Sequence, residues 1–266
     1  MTSRHTNRTR DELDAVAARF GVAPEQARRD LLISHVLGSI AAHFDHDSIL
    51  FIGGTALART HLPYLRLSED VDLIALAPRA KVAAEVEQVL LRGLARQFPA
   101  VSWNPSPVRA RGSSPAVLTT GDGLRVQIQI LSSVGYPPWP SEIREIEQRY
   151  SDAPPARLRT YTADGFAAAK LDAWISRGAA RDLFDMWAMA HQGMITGAAL
   201  DLFTRHGQLT SPPERWVFER LPTSSDWDDQ LAHQPSVTVT PQDAARVVAQ
   251  AWATAAHHTT PRPGAV

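Results

Sequence analysis

Gly53, Gly54 and Thr55 close an apolar run, Ile49 to Ile52, and Asp70 and Asp72 open a second run that reaches Leu76. A strand that ends at a tight glycine turn and passes into a helix leaves bare backbone N–H groups at the helix start. Those donors, reinforced by the helix dipole, make a place to hold phosphate. On the second strand Asp70 and Asp72 stand at alternate positions and so point to one face. Two adjacent carboxylates repel each other unless a cation lies between them, and a hard divalent ion, Mg²⁺ (or Mn²⁺), meets that need. A phosphate cradle beside a carboxylate pair on neighbouring strands predicts metal-assisted transfer of a nucleotidyl or phosphoryl group.

A second polar cluster lies between Asp164 and Met189, where Lys170, Asp172, Arg177, Arg181, Asp182 and Asp185 punctuate helical sequence. Of the 27 basic residues only Lys81 and Lys170 are lysines, so a lysine kept in mid-helix invites a chemical explanation. A lysine is a compact cation that offsets charge building on a triphosphate. Asp182 and Asp185 are neighbours on a helix surface. The same residues also suit an ordinary helix-surface network in which Arg177 and Arg181 pair with the two acids. The His43–Asp47 cluster reads as a helix end and turn rather than a metal site, since nothing there fixes a tetrahedral geometry.

The wording of both clusters carries a resemblance. The segment GG-T-x-L-x-R (Gly53 to Arg59) followed by R-x-S-E-D-x-D-L (Arg66 to Leu73) resembles the first motif of the DNA polymerase β-type nucleotidyltransferases. More narrowly, it is similar to the AbiEii branch, which includes the MenT-like toxins of type IV toxin–antitoxin systems. The later motifs of AbiEii-like proteins, a lysine helix and then R-D-L-[YF]-D, are matched by Lys170, Arg177, Arg181, Asp182, Leu183, Phe184 and Asp185.

That resemblance implies Mg²⁺ on Asp70 and Asp72, with NTP phosphates on Gly53, Gly54, Thr55, Ser68 and Lys170. Asp185 is implied to be an orienting or proton-accepting carboxylate. The implied acceptor is RNA, at the 3′ end of tRNA, and the implied protein is a translation-blocking toxin neutralised by a cognate antitoxin. Arg59, Arg66, Arg109, Arg111, Arg177 and Arg181 are candidates to track an RNA backbone, with Asp182 in support; loop solvation explains Arg109 and Arg111 equally well. The wider superfamily often carries a third carboxylate on the strand corresponding to Leu124–Ile130, where this chain has Gln127 and Gln129. A third metal-binding acid is therefore missing or supplied elsewhere. Two alternatives stand beside this reading: transfer to a protein or small molecule, as in antibiotic-modifying relatives, and a non-catalytic nucleotide-binding relative.

The surrounding sequence must position these groups. At 266 residues and 44% apolar content the chain suits one large domain or two packed lobes. It has no cysteine, so disulfides and thiolate metal sites are excluded. The first residues lack the apolar core of a signal peptide and no apolar run approaches a membrane span, so the expected location is cytoplasmic, with no membrane partner. A net charge of −1 places any RNA binding on a local patch.

Residues 1–9 read as a frayed start, Asp11 to Phe20 as a helix closed by Gly21, and Pro24 to Phe44 as a second, amphipathic helix. Arg79 to Phe98 is a third such helix, and Lys81 at its start reads as solvated. Alternation around Gly121-Asp122-Gly123 predicts a hairpin of 116–119 with 124–131. The proline-rich 136–140 stretch predicts a lobe boundary, followed by a short helix from Ser141 to Tyr150 and a short strand before Thr162. Gly178 should break the helix carrying Lys170, and Thr240-Pro241 should start a helix running to Ala256. The expected fold class is α/β: a polymerase β-type nucleotidyltransferase core with a small mixed sheet and N-terminal helices (1–140), a mostly helical lobe completing the active site (141–256), and a disordered tail (257–266).

Overall fold

The computed structural model describes residues 2–112, 114–231 and 238–258. Strand β1 (Ile49–Ile52) has all four side chains buried, as its unbroken apolar sequence requires of a strand covered on both faces. It runs antiparallel to β2 (Asp70–Ala75) and parallel to β7 (Ala156–Tyr161). β2 lies parallel to β5 (Arg125–Ser132), and β5 pairs antiparallel with β4 (Ala116–Thr119), which makes the expected hairpin. With β3 (Ser102–Trp103) and β6 (Ser141–Ile146) at the edges, the described residues form a mixed seven-stranded sheet, ordered β3-β4-β5-β2-β1-β7-β6.

Two helices precede β1, a third joins β1 to β2 and a fourth joins β2 to β3. They are α1 (Thr2–Phe20), α2 (Pro24–His43), α3 (Gly53–Thr60) and α4 (Arg79–Leu94). α2 packs against α1 and α4, and both α2 and α4 touch β5. Its sequence predicts a single apolar stripe, yet Ile33, Ser34 and Leu37 are as fully enclosed as Leu32 and Val36. From Asp30 to Gly38 every residue of the helix is buried, which a periodicity argument does not see.

The later sequence folds as α5 (Ala163–Arg177), α6 (Ala180–His191), α7 (Gly197–His206), a 3-10 turn (Arg215–Phe218), α8 (Ser224–Leu231) and α9 (Pro241–His258). Their boundaries follow cap chemistry. Thr162 accepts the Gly165 N–H at 3.1 Å, Gly178 ends α5 at a φ of 61°, and Thr240 accepts the Asp243 N–H at 3.1 Å. α6 packs on α5, α8 and α9, and α7 packs on α5 and α9.

The chain divides into two compact units, one of residues 1–136 and 142–160, the other of residues 137–141 and 161–266. The first is α/β and the second mostly helical. Two local expectations are corrected. The stretch beginning at Ser141 is the edge strand β6, not a helix, because pairing beside β7 overrides the helix preference of its glutamates and arginine. The first helix starts at Thr2 rather than Asp11. The expected tail lies outside the described residues from position 259 onward. Among the described residues no helix is long and apolar enough to cross a membrane.

Candidate active site

In the first unit the register of β1 and β2 sets Ile52 opposite Asp72, so the glycine turn begins beside that carboxylate. Gly53 adopts a φ of 81°, where any side chain is strained, and a methyl group on it would collide with the Asp72 carboxylate. A methyl on Gly54 would lie 2.6 Å from the Arg66 guanidinium and 3.2 Å from the Ser68 hydroxyl. A carboxylate, a guanidinium and a hydroxyl therefore sit directly against the bare backbone of the two glycines. No side chain caps the start of α3, and helix geometry leaves its first N–H groups without intrahelical acceptors.

Val71 and Leu73 point into the core at 0% exposure, while Asp70 and Asp72, alternating with them, are half-buried on the other face. The hydroxyl of Thr55 donates to the carbonyl of Asp70, fixing the turn against the strand. The Thr55 hydroxyl is thus engaged inside the fold, and its backbone N–H lies at the start of α3. In the β2–β5 register Gln127 lies beside Asp70 and Gln129 beside Asp72. These are oxygen donors of the kind a hard divalent cation takes, so Asp70 and Asp72, with an amide nearby, fit Mg²⁺. Among the described residues no group of three or more His, Asp or Glu side chains could hold a metal, so the acid pair is not completed by a third carboxylate there.

Arg59 is a further correction. It is 1% exposed, and its guanidinium donates to Asp30 Oδ1 at 2.7 Å, Ser34 Oγ at 2.9 Å and the Glu147 carbonyl at 2.8 Å. Burial pushes its pKa down to about 10, opposed by Asp30, and it remains charged at neutral pH. Buried inside the unit, it cannot track an RNA backbone; it ties α3 to α2. Arg149 joins the same carboxylate at 2.9 Å, a partnership across 119 positions that no local pattern signals. Arg66 is likewise 4% exposed and belongs to the glycine turn rather than to an outer surface. Arg109, Arg111 and Lys81 are exposed.

In the second unit α5 and α6 bring Lys170, Arg177, Asp182 and Asp185 together. The Lys170 ammonium lies 3.0 Å from Asp182 Oδ1 and 2.7 Å from Asp185 Oδ2. Arg177 grips Asp182 with two donors, at 2.6 and 2.9 Å. Lys170 is 7% exposed, Asp182 0% and Asp185 1%, so these three form a buried charge cluster, while the Arg177 side chain that joins them is largely exposed. Burial pushes the Asp182 carboxyl up, but Lys170 and Arg177 outweigh it and hold the group below the usual carboxylate range. Arg181 is exposed and takes no part. The predicted site residues thus form two clusters, one in each unit.

A family model described as the nucleotidyl transferase AbiEii toxin of type IV toxin–antitoxin systems matches residues 35–257. Among solved structures, the chain is similar to MenT4, a nucleotidyltransferase toxin from Mycobacterium tuberculosis. The two are 20% identical with a TM-score of 0.67, over 92% of this chain and 89% of that one. It is also similar to JHP933 from Helicobacter pylori, at 16% identity and a TM-score of 0.56, over 90% of this chain and 94% of that one. A putative nucleotidyltransferase from H. pylori matches at 17% identity and a TM-score of 0.55, over 90% and 97%. No curated protein matches the sequence. At these identities the structural likeness establishes the fold.

Proposed function

The chain belongs to the AbiEii nucleotidyl transferase toxin family, and from that premise we propose that it transfers NMP from an NTP to the 3′ end of tRNA, releasing pyrophosphate and blocking translation. The family supports a nucleotidyl-transfer enzyme with an NTP substrate and an antitoxin partner. The observation that supports the NTP-binding part of this reading is the packing of Asp72, Arg66 and Ser68 against Gly53 and Gly54.

In this reading the N–H groups of Gly53, Gly54 and Thr55 donate to phosphate oxygens at the start of α3. Arg66 and Ser68 add a cation and a hydroxyl at the same turn. Asp70 and Asp72 would hold a divalent ion, whose chemistry there would be to offset the negative charge of the triphosphate. Lys170, aimed by Asp182 and Asp185, would offer its ammonium to the phosphates. Asp185 orients the acceptor hydroxyl or takes its proton. Arg177 and Arg181 lie on or beside this second cluster and serve the acceptor. The activity belongs in the cytoplasm, where NTPs and tRNA meet.

Incubating the protein with each labelled NTP and, separately, tRNA, protein or aminoglycosides tests the proposal. Label should appear on tRNA alone, and Asp70→Ala and Asp72→Ala should each lower the rate at least about 100-fold. A folded Asp72→Ala protein with near-wild-type transfer would overturn it. The neutral amides beside the acid pair favour a second reading, a nucleotide-binding relative without turnover. Calorimetric NTP binding with no label on any acceptor would select that one.

A further inference from the structure

The stretch 147–149, directly after β6, closes the far end of α3. Helix geometry leaves the last carbonyls of any helix without partners of its own. In α3 the Leu57 carbonyl accepts the N–H groups of His61 and Leu62, at 3.2 and 2.9 Å. The next two carbonyls are met from across the sequence. Arg149 Nη2 donates to the Ala58 carbonyl at 2.8 Å, and the Glu147 N–H donates to the Arg59 carbonyl at 2.8 Å. The guanidiniums of Arg59 and Arg149 share one oxygen, Asp30 Oδ1, at 2.7 and 2.9 Å. These three side chains carry one positive charge in excess, and the negative end of the α3 dipole is where an excess cation is favoured.

Arg149 also reaches the loop that leaves α3. Its Nη2 lies 3.4 Å from the Pro63 carbonyl, at the root of the stretch that carries Arg66 and Ser68 back onto Gly54. One planar fork thus joins α2, the end of α3 and the loop, and it lies over the Phe20 ring at 5.1 Å. The Arg149 side chain is 2% exposed, so it acts on a ligand only through these partners. An eight-residue helix does not hold itself in place, and its pose comes from tertiary contacts. At a rise of about 1.5 Å per residue, the first N–H groups of α3 lie only about 12 Å from the end that Arg149 grips.

We propose that Arg149 is a positioning residue for the nucleotide phosphates, setting the backbone donors of α3 and the loop bearing Arg66 and Ser68 in one register. The inference rests on the reading above in which the glycine turn holds an NTP. Calorimetric titration with ATP, GTP, CTP and UTP in Mg²⁺ buffer, below the melting temperature, tests it without requiring an acceptor. Arg149→Lys keeps the charge, but a point donor does not span the places that a fork reaches. It should raise Kd for the preferred NTP about ten-fold. Arg149→Ala should bind more weakly still and regain part of its affinity when methylguanidinium is added. Val86→Ala, which trims a fully buried side chain on α4, should lower the melting temperature and leave Kd unchanged.

If wild type binds NTP and folded Arg149→Lys binds as tightly, the assignment falls and the nucleotide reading stands. An equal loss of affinity in Val86→Ala also overturns it, because general destabilisation then accounts for the effect. Should Arg149→Lys melt too early to titrate, the Arg149→Ala protein decides: methylguanidinium that restores folding but not NTP affinity refutes the proposal. Wild type that binds none of the four nucleotides removes the nucleotide reading itself.

Discussion

Gly53 and Gly54 carry no side chain because other groups occupy that space: the Asp72 carboxylate over one, the Arg66 guanidinium and Ser68 hydroxyl over the other. Alanine at 53 would have to hold a φ of 81°, a strain of about 1–2 kcal/mol, and would displace Asp72. Alanine at 54 keeps an ordinary backbone and pushes only Arg66 and Ser68. Gly54→Ala should therefore stay folded yet raise KM for NTP, whereas Gly53→Ala should lose both stability and rate; melting curves beside steady-state kinetics separate the two. A Gly54→Ala protein with wild-type NTP affinity would remove the cradle from the argument. The residue types at these positions were readable in the motif, but the loop residue pressed onto Gly54 was not, since nothing in a loop sequence states what it folds against.

At the scale of elements, α2 is the post against which the first unit is built. Arg59 ties α3 to it through Asp30, and His35 joins it to the segment after β6, 3.6 Å from Asp152 and edge-on to Phe98. Burial holds the His35 imidazole below its usual range, against the opposing pull of Asp152. The folded protein thus resists a proton that the unfolded chain accepts near pH 6.5, on the order of the free-histidine value. Stability from this group is complete above that pH and declines as pH falls toward the lower folded-state value. Urea midpoints should drop less between about pH 7.5 and about pH 5.5 in His35→Gln than in wild type, and equal drops would refute the assignment. None of these ties was visible beforehand, because the partners are far apart in sequence and a helical stripe reports only its own face. The same blindness made a helix of β6, whose strand character comes from its place beside β7.

For the molecule as a whole, a net charge of −1 supplies no general field to draw in RNA. If the acceptor is RNA, as proposed, binding would rest on a few guanidiniums, about two or three phosphate contacts at a slope of about −0.7 each for a single strand. Raising salt from about 50 to about 200 mM should weaken binding only about ten-fold, and a slope near about −6 would indicate an extended basic track instead. The sequence by itself determined the strand–glycine turn–strand that carries Gly53, Gly54, Asp70 and Asp72, the hairpin that follows, and the break at Gly178 between the two helices of the second cluster. All of these are set by contacts among near neighbours, which alternation, turn residues and caps report directly. Only the tertiary structure decided that Arg59 is an internal strut, that Arg66 joins the cradle and that Lys170 sits buried between two aspartates. Burial is a property of what distant segments bring to a residue, and a one-dimensional pattern does not contain it.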